Sequence, residues 1–137
     1  MGFAIIPFLL IFSNFCKGIE SIMPIANCII SSEYLGIDDN SKDLIRLWVE
    51  HSGIQQAGPE MTVNIISSNS QMGREYAVMA TLLLPSIWSK NEISALQKGL
   101  ARALSVYWSL PNEQVFITTF IVDSGFVVEN GSEVTWK

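Results

Sequence analysis

A proline stands directly after a methionine, Met23-Pro24, at the head of an apolar run, Pro24-Ile25-Ala26-Asn27-Cys28-Ile29-Ile30. Inside a chain, the proline nitrogen is a tertiary amide and can neither take nor give a proton. As the first residue of a chain it is a secondary amine with a reference pKa near ~8. An apolar pocket disfavours the charged form and brings that pKa down toward neutrality, where one group can remove a proton and return it. The chemistry of this position therefore turns on one peptide bond. Other reactive side chains point to blander roles. His51 is the only histidine and falls near a helix end, where a solvated imidazole suits the helix dipole. The two cysteines, Cys16 and Cys28, form neither a disulfide framework nor a metal-ligand spacing. Cys28 reads as a small core residue carrying a reduced thiol. Asp38-Asp39 has no third ligand near it in sequence, so no metal site is expected.

The elements that must position Pro24 follow from periodicity. Pro24 to Ser31 alternates as a strand, with Pro24, Ala26, Cys28 and Ile30 on one face and Ile25, Asn27 and Ile29 on the other. Asp38-Asp39-Asn40-Ser41 is a helix-start cluster. The helix runs to about Ser52, with Leu44, Leu47 and Trp48 as its apolar stripe and Gly53 as its stop. Gly58-Pro59 signals a turn, Met61–Ile66 a second strand, and Ser67–Gly73 a polar loop. The pattern then repeats: strand Tyr76–Leu84 stopped by Pro85, a capping box Ser89-Lys90-Asn91-Glu92, and a helix carrying Ile93, Leu96, Leu100, Ala103, Leu104 and Tyr107 at helical spacing. Lys98 and Arg102 occupy its opposite face. After Pro111, Val115–Val122 is the fourth strand. Asn130-Gly131 between strand-forming residues predicts a terminal hairpin, because a type I′ turn needs positive φ at both positions. A lone hairpin is marginal in water, so it is expected against another subunit, with Trp136 as the contact. Trp48, Trp88 and Trp108 read as core or interface residues.

The chain of 137 residues is the size of one domain, and 49% of it is hydrophobic, enough for a core without staples. Its net charge is −5 and its eight Lys and Arg residues form no cluster, so nucleic acid is not an expected partner. Residues 1–22 form an apolar leader, followed by a domain over 23–137. The leader is too short and too interrupted, by Pro7, Ser13 and Asn14, for a membrane span. Its first charge, Lys17, comes after the apolar run rather than before it, unlike a signal peptide. Three readings stand: a translation start misplaced upstream of Met23, a signal or anchor, or a structural extension. Codons for Lys17-Gly18 and Glu20 are necessarily purine-rich, like a bacterial ribosome-binding site. A cytoplasmic location is expected, with export as the alternative if the leader is a signal.

Two consecutive β-α-β units, Met-Pro at the start of strand one and a terminal hairpin together resemble the tautomerase superfamily, which includes macrophage migration inhibitory factor and oxalocrotonate tautomerase. The segment Pro111-Asn112-Glu113-Gln114-Val115-Phe116-Ile117, through to Glu129-Asn130-Gly131-Ser132, looks like that family's final strand and hairpin. The resemblance covers about Met23 to Trp136. It implies an α+β fold of tandem β-α-β units with a C-terminal β-hairpin, assembled as a homotrimer. It also implies a pocket at the end of strand one, where Pro24 is the acid–base group acting on a small carbonyl (enol/keto) or carboxylate compound without a cofactor. Leu84 would be an apolar wall, with Phe116, Thr118 and Lys90 binding substrate. The sequence departs from active members elsewhere. Gln56 stands where several carry a lysine, Pro85-Ser86-Ile87-Trp88 where dehalogenase-like members carry cations, and Phe116 lacks a hydroxyl. Arg74 lies on a loop that could approach a pocket.

Two further readings compete with a tautomerase. One is a non-catalytic binding or assembly protein of the same fold. The other is a ferredoxin-like ligand-binding module, since β-α-β-β-α-β also describes that architecture.

Overall fold

A computed structural model describes residues 23–34 and 43–137. The leader over 1–22, with Cys16, and the Asp38–Ser41 cluster lie outside the described residues.

Strand β1 (Ile25–Ser31) realises the alternation in the sequence. Pro24, Ala26, Cys28 and Ile30 are buried, while the side chains between them face the other way. Helix α1 (Leu44–Ser52) takes its N-cap from Asp43, whose carboxylate accepts from the Ile45 and Arg46 amides at 3.0 and 3.3 Å. The cap therefore lies nearer the apolar stripe than the Asp38–Ser41 cluster. Gly53 ends the helix in the left-handed region, at φ 76°, where glycine carries no steric penalty. A short 3-10 turn, Gln55–Glu60, holds Gly58-Pro59. Strand β2 (Thr62–Ser68) extends past the expected Ile66, because Ser67 and Ser68 pair with Ile30 and Ser31.

Strand β3 (Val78–Pro85) begins two residues later than its apolar run. The amides of Tyr76 and Ala77 bond instead to side chains, Gln71 Oε1 at 3.1 Å and Gln114 Oε1 at 3.1 Å. Helix α2 (Lys90–Trp108) opens with the expected capping box: Ser89 accepts from the Glu92 amide at 3.1 Å and Glu92 accepts from the Ser89 amide at 2.9 Å. Strand β4 (Val115–Val122) is followed by the hairpin β5 (Val127–Glu129) and β6 (Ser132–Val134). Asn130 and Gly131 turn it at φ 55° and 77°, as a type I′ turn requires.

The sheet order is β2-β1-β3-β4. Each half is a parallel pair, β1 with β2 and β3 with β4, and the halves join antiparallel through β1 and β3. In a split β-α-β unit another strand lies between the two parallel strands. Here they pair directly, which corrects the ferredoxin-like alternative. Both helices cover one face of the sheet, burying Trp48, Leu96, Leu100 and Leu104 against Ala26, Cys28 and Leu82. The Trp48 indole donates to the Leu96 carbonyl at 2.9 Å, tying α1 to α2. Gly99 permits that approach, since a Cβ there would sit 2.7 Å from the Ser52 backbone.

Among the described residues, the other sheet face carries no ionisable side chain. Strand register arranges it in three rows. Ile66, Ile29, Met79 and Phe116 form one; Asn64, Asn27, Thr81 and Thr118 the next; Thr62, Ile25, Leu83 and Phe120 the third. Ile66 is 48% exposed and Phe120 55%. The middle row is polar, and the Asn64 amide donates to Asn27 Oδ1 at 2.7 Å.

Candidate functional site

Pro24 occupies the last position before β1 proper. It is fully buried, and its carbonyl accepts from the Thr62 amide at 3.0 Å, which fixes the residue in line with the strand. Continuing the β1–β3 register by one step places it level with Leu84, and Leu84 pairs with Ile121. Beside this position lies a cavity of about 90 Å³, lined by Met23, Ile25, Leu83, Leu84, Pro85, Val122 and Val127. Pro24 is bracketed by two of these residues. Its nitrogen is bonded to Met23, one wall of the cavity.

The hairpin roofs this cavity through Val127. It is fastened to its own chain: the Trp136 indole donates to Ser86 Oγ at 2.9 Å, and the Trp136 amide to Ser124 Oγ at 2.7 Å. The sequence-based expectation placed Trp136 on a neighbouring subunit. Within one chain its indole bonds to Ser86, directly after β3, a long-range pairing that no local pattern signals. Phe126 on the hairpin remains 77% exposed.

Leu84 is wholly buried and forms part of the cavity wall. Phe116 and Thr118 do not reach it within one chain. They lie five and three strand positions from the level of Pro24, or roughly 17 and 10 Å at the rise of a β-strand. Phe116 packs instead on Tyr76, ring centroids 5.2 Å apart, and the Arg74 guanidinium lies 5.3 Å from the Tyr76 ring centre. This stack locates Arg74, which the sequence left unplaced. Lys90 is exposed on the first turn of α2, and α2 covers the opposite face of the sheet from Ile25 and Leu83. Gln56 and His51 are exposed. Among the described residues no cation lines the cavity.

Burial pushes the Cys28 thiol up to about 12, which removes it as a nucleophile at neutral pH. Among the described residues no group of His, Cys, Asp and Glu is placed to hold a metal ion, and no helix is long and apolar enough to cross a membrane. A polar cleft of about 270 Å³ at the other end of the sheet is bordered by Ser31, Ser68, Gln71, Glu33 and Glu75; its charges are negative.

No family model matches the sequence, and no curated protein does. Solved structures do. A wild-type fused 4-OT, an asymmetric trimer, superposes with a TM-score of 0.65 at 8% identity over 80% of this chain and 95% of its own. The chain has the tautomerase-superfamily fold. Two other solved structures of that fold are also similar. A member of the cis-3-chloroacrylic acid dehalogenase family gives a TM-score of 0.61 at 11% identity over 80% of this chain and 82% of its own. Macrophage migration inhibitory factor from Oncomelania hupensis gives 0.57 at 16% identity over 84% and 98%.

Proposed function

We propose that this chain, when it begins at Pro24, is a cofactor-independent tautomerase acting on a small carbonyl compound. The observation that carries this reading is the apolar cavity lined by Met23 and Ile25, the two residues that flank Pro24. The buried, apolar surroundings favour the neutral amine. The amine removes a proton from the carbon next to a carbonyl, and the C–H electron pair becomes the C=C bond of an enolate. The protonated amine then returns the proton to carbon or oxygen, so the step is balanced without redox chemistry.

Homotrimeric assembly belongs to the same proposal. The uncharged sheet face, with Phe120 and Ile66 half-exposed, lets copies that each carry a charge of −5 meet without like-charge contact, and fused 4-OT structures of this fold are trimers. Phe116 and Thr118 sit too far from Pro24 to share its ligand within one chain. Any role for them at a pocket, alongside Leu84, is one played between copies. A cytoplasmic location suits the buried free thiol of Cys28. Residues 1–22 are then upstream of the true start.

Deuterium incorporation next to a ketone carbonyl tests the proposal. Protein beginning at Pro24 should accelerate exchange, while Pro24→Ala and the chain retaining residues 1–22 should not. Equal rates in all three reject Pro24 as the base. The second reading, a non-catalytic protein of the same fold, is favoured by the absence of any cation lining the cavity among the described residues.

A further inference from the structure

We propose that the cavity beside Pro24 selects small uncharged carbonyl compounds, short-chain ketones or aldehydes, over carboxylates of the same length. The proposal rests on the reading of Pro24 as the base and deepens it to a substrate class. Every residue lining the cavity is apolar: Met23, Ile25, Leu83 and Leu84 on one side, Pro85, Val122 and Val127 around them. A ligand carboxylate placed there loses its water and gains no partner from the lining, only the proline nitrogen itself. Burial of an unpaired charge is far more costly than burial of a carbonyl group, which can keep one hydrogen bond to the proline N–H.

The rim does not compensate. Its nearest ionisable neighbours in sequence are Asp123, directly after Val122, and Glu129, two residues after Val127, both exposed. Both repel an anion. None of the described cations lines the cavity: Arg74 stacks on Tyr76 at the far end of the sheet, Arg46 pairs with Glu50 at 3.5 Å, Lys90, Lys98 and Arg102 are exposed on helix α2, on the opposite face, and Lys137 is exposed directly after Trp136. Size points the same way. About 90 Å³ with Met23 in place is less than the ~150 Å³ of an apolar cavity that accepts benzene, which favours a short chain. Ser86, the closest hydroxyl in sequence to the lining, is not part of it and accepts from the Trp136 indole at 2.9 Å.

The matched probes are pentan-2-one and 2-oxopentanoate, which share a propyl ketone and differ by methyl against carboxylate. All described core residues lie between Pro24 and Leu110, so the chain from Pro24 to Lys137 contains all of the described core. Two readouts run side by side on that chain: deuterium exchange at carbon 3 of each probe, and methyl NMR shifts of Ile25, Leu83, Val122 and Val127 on titration. Pentan-2-one should exchange at least about tenfold faster per unit concentration, 1.4 kcal/mol at 25 °C, and should shift the cavity methyls at lower concentration. Val127→Lys, which places a cation in the roof, should narrow or invert the preference. Faster exchange or tighter binding of 2-oxopentanoate overturns the substrate class while leaving Pro24 as base. Ketone-specific methyl shifts without exchange above Pro24→Ala remove the base and uphold the ligand class. Methyl shifts from neither probe overturn the inference.

Discussion

At the residue scale, burial decides which groups react. Cys28 sits wholly inside the helix-covered face, and burial raises its thiol from 9.0 to about 12. Two consequences follow. In a chain beginning at Pro24, where Cys28 is the sole cysteine, iodoacetamide should label it only after denaturation; labelling of the native protein at comparable rate would contradict its burial. The second concerns pH. A thiol that holds its proton more tightly when folded stabilises the fold below its unfolded pKa. That contribution is lost as pH rises from about 9 toward 12. Cys28→Ala should flatten the fall in urea midpoint over that window, and an unchanged slope would assign it to the tyrosines. The alternation that buries Cys28 is legible in β1, because a strand repeats every two residues and polar Asn27 marks the other face. The Asp43 cap was harder to read. Several side chains between Asp38 and Asp43 can cap, and only the position of α1 against the sheet selects one.

At the element scale, the two helices meet so closely that one residue type is required. Gly→Ala inside a helix ordinarily gains about 1 kcal/mol. At Gly99 the added methyl would lie 2.7 Å from the Ser52 backbone, and forced overpacking costs about 1–3 kcal/mol. Gly99→Ala is therefore expected to lower the urea midpoint; a rise would mean that the helices part freely. The hairpin obeys a different rule. Its Asn-Gly turn is local and readable, whereas its anchorage is not, because Trp136 and Ser86 are 50 residues apart. Trp136→Phe removes a partly exposed hydrogen bond of about 1 kcal/mol. Global stability should change little, but amides of β5 and β6 should exchange hydrogen faster, since Val127 would no longer be held over the cavity. Unchanged protection would show that the roof is held by other contacts.

At the scale of the whole molecule, the tandem β-α-β architecture was legible because each half carries its own period and its own punctuation. The pairing of halves through β1 and β3, and the separation of Phe116 from Pro24, were not, because register between distant strands is set by the assembled sheet. The sheet face also suggests how copies align. A polar row, Asn64-Asn27-Thr81-Thr118, crosses an otherwise largely apolar, uncharged surface. Polar groups in an apolar interface fix register at some expense in stability. If the chain forms the proposed trimer, Asn27→Leu combined with Asn64→Leu should keep subunits associated while broadening it into several species by native mass spectrometry; a single unchanged trimer would deny the row that role. The central claim is that the working protein exposes the Pro24 nitrogen. Intact-mass measurement on protein produced from the native gene tests it most directly. The account expects a chain whose first residue is Pro24, and a chain that still carries Met23, or the residues before it, would contradict it.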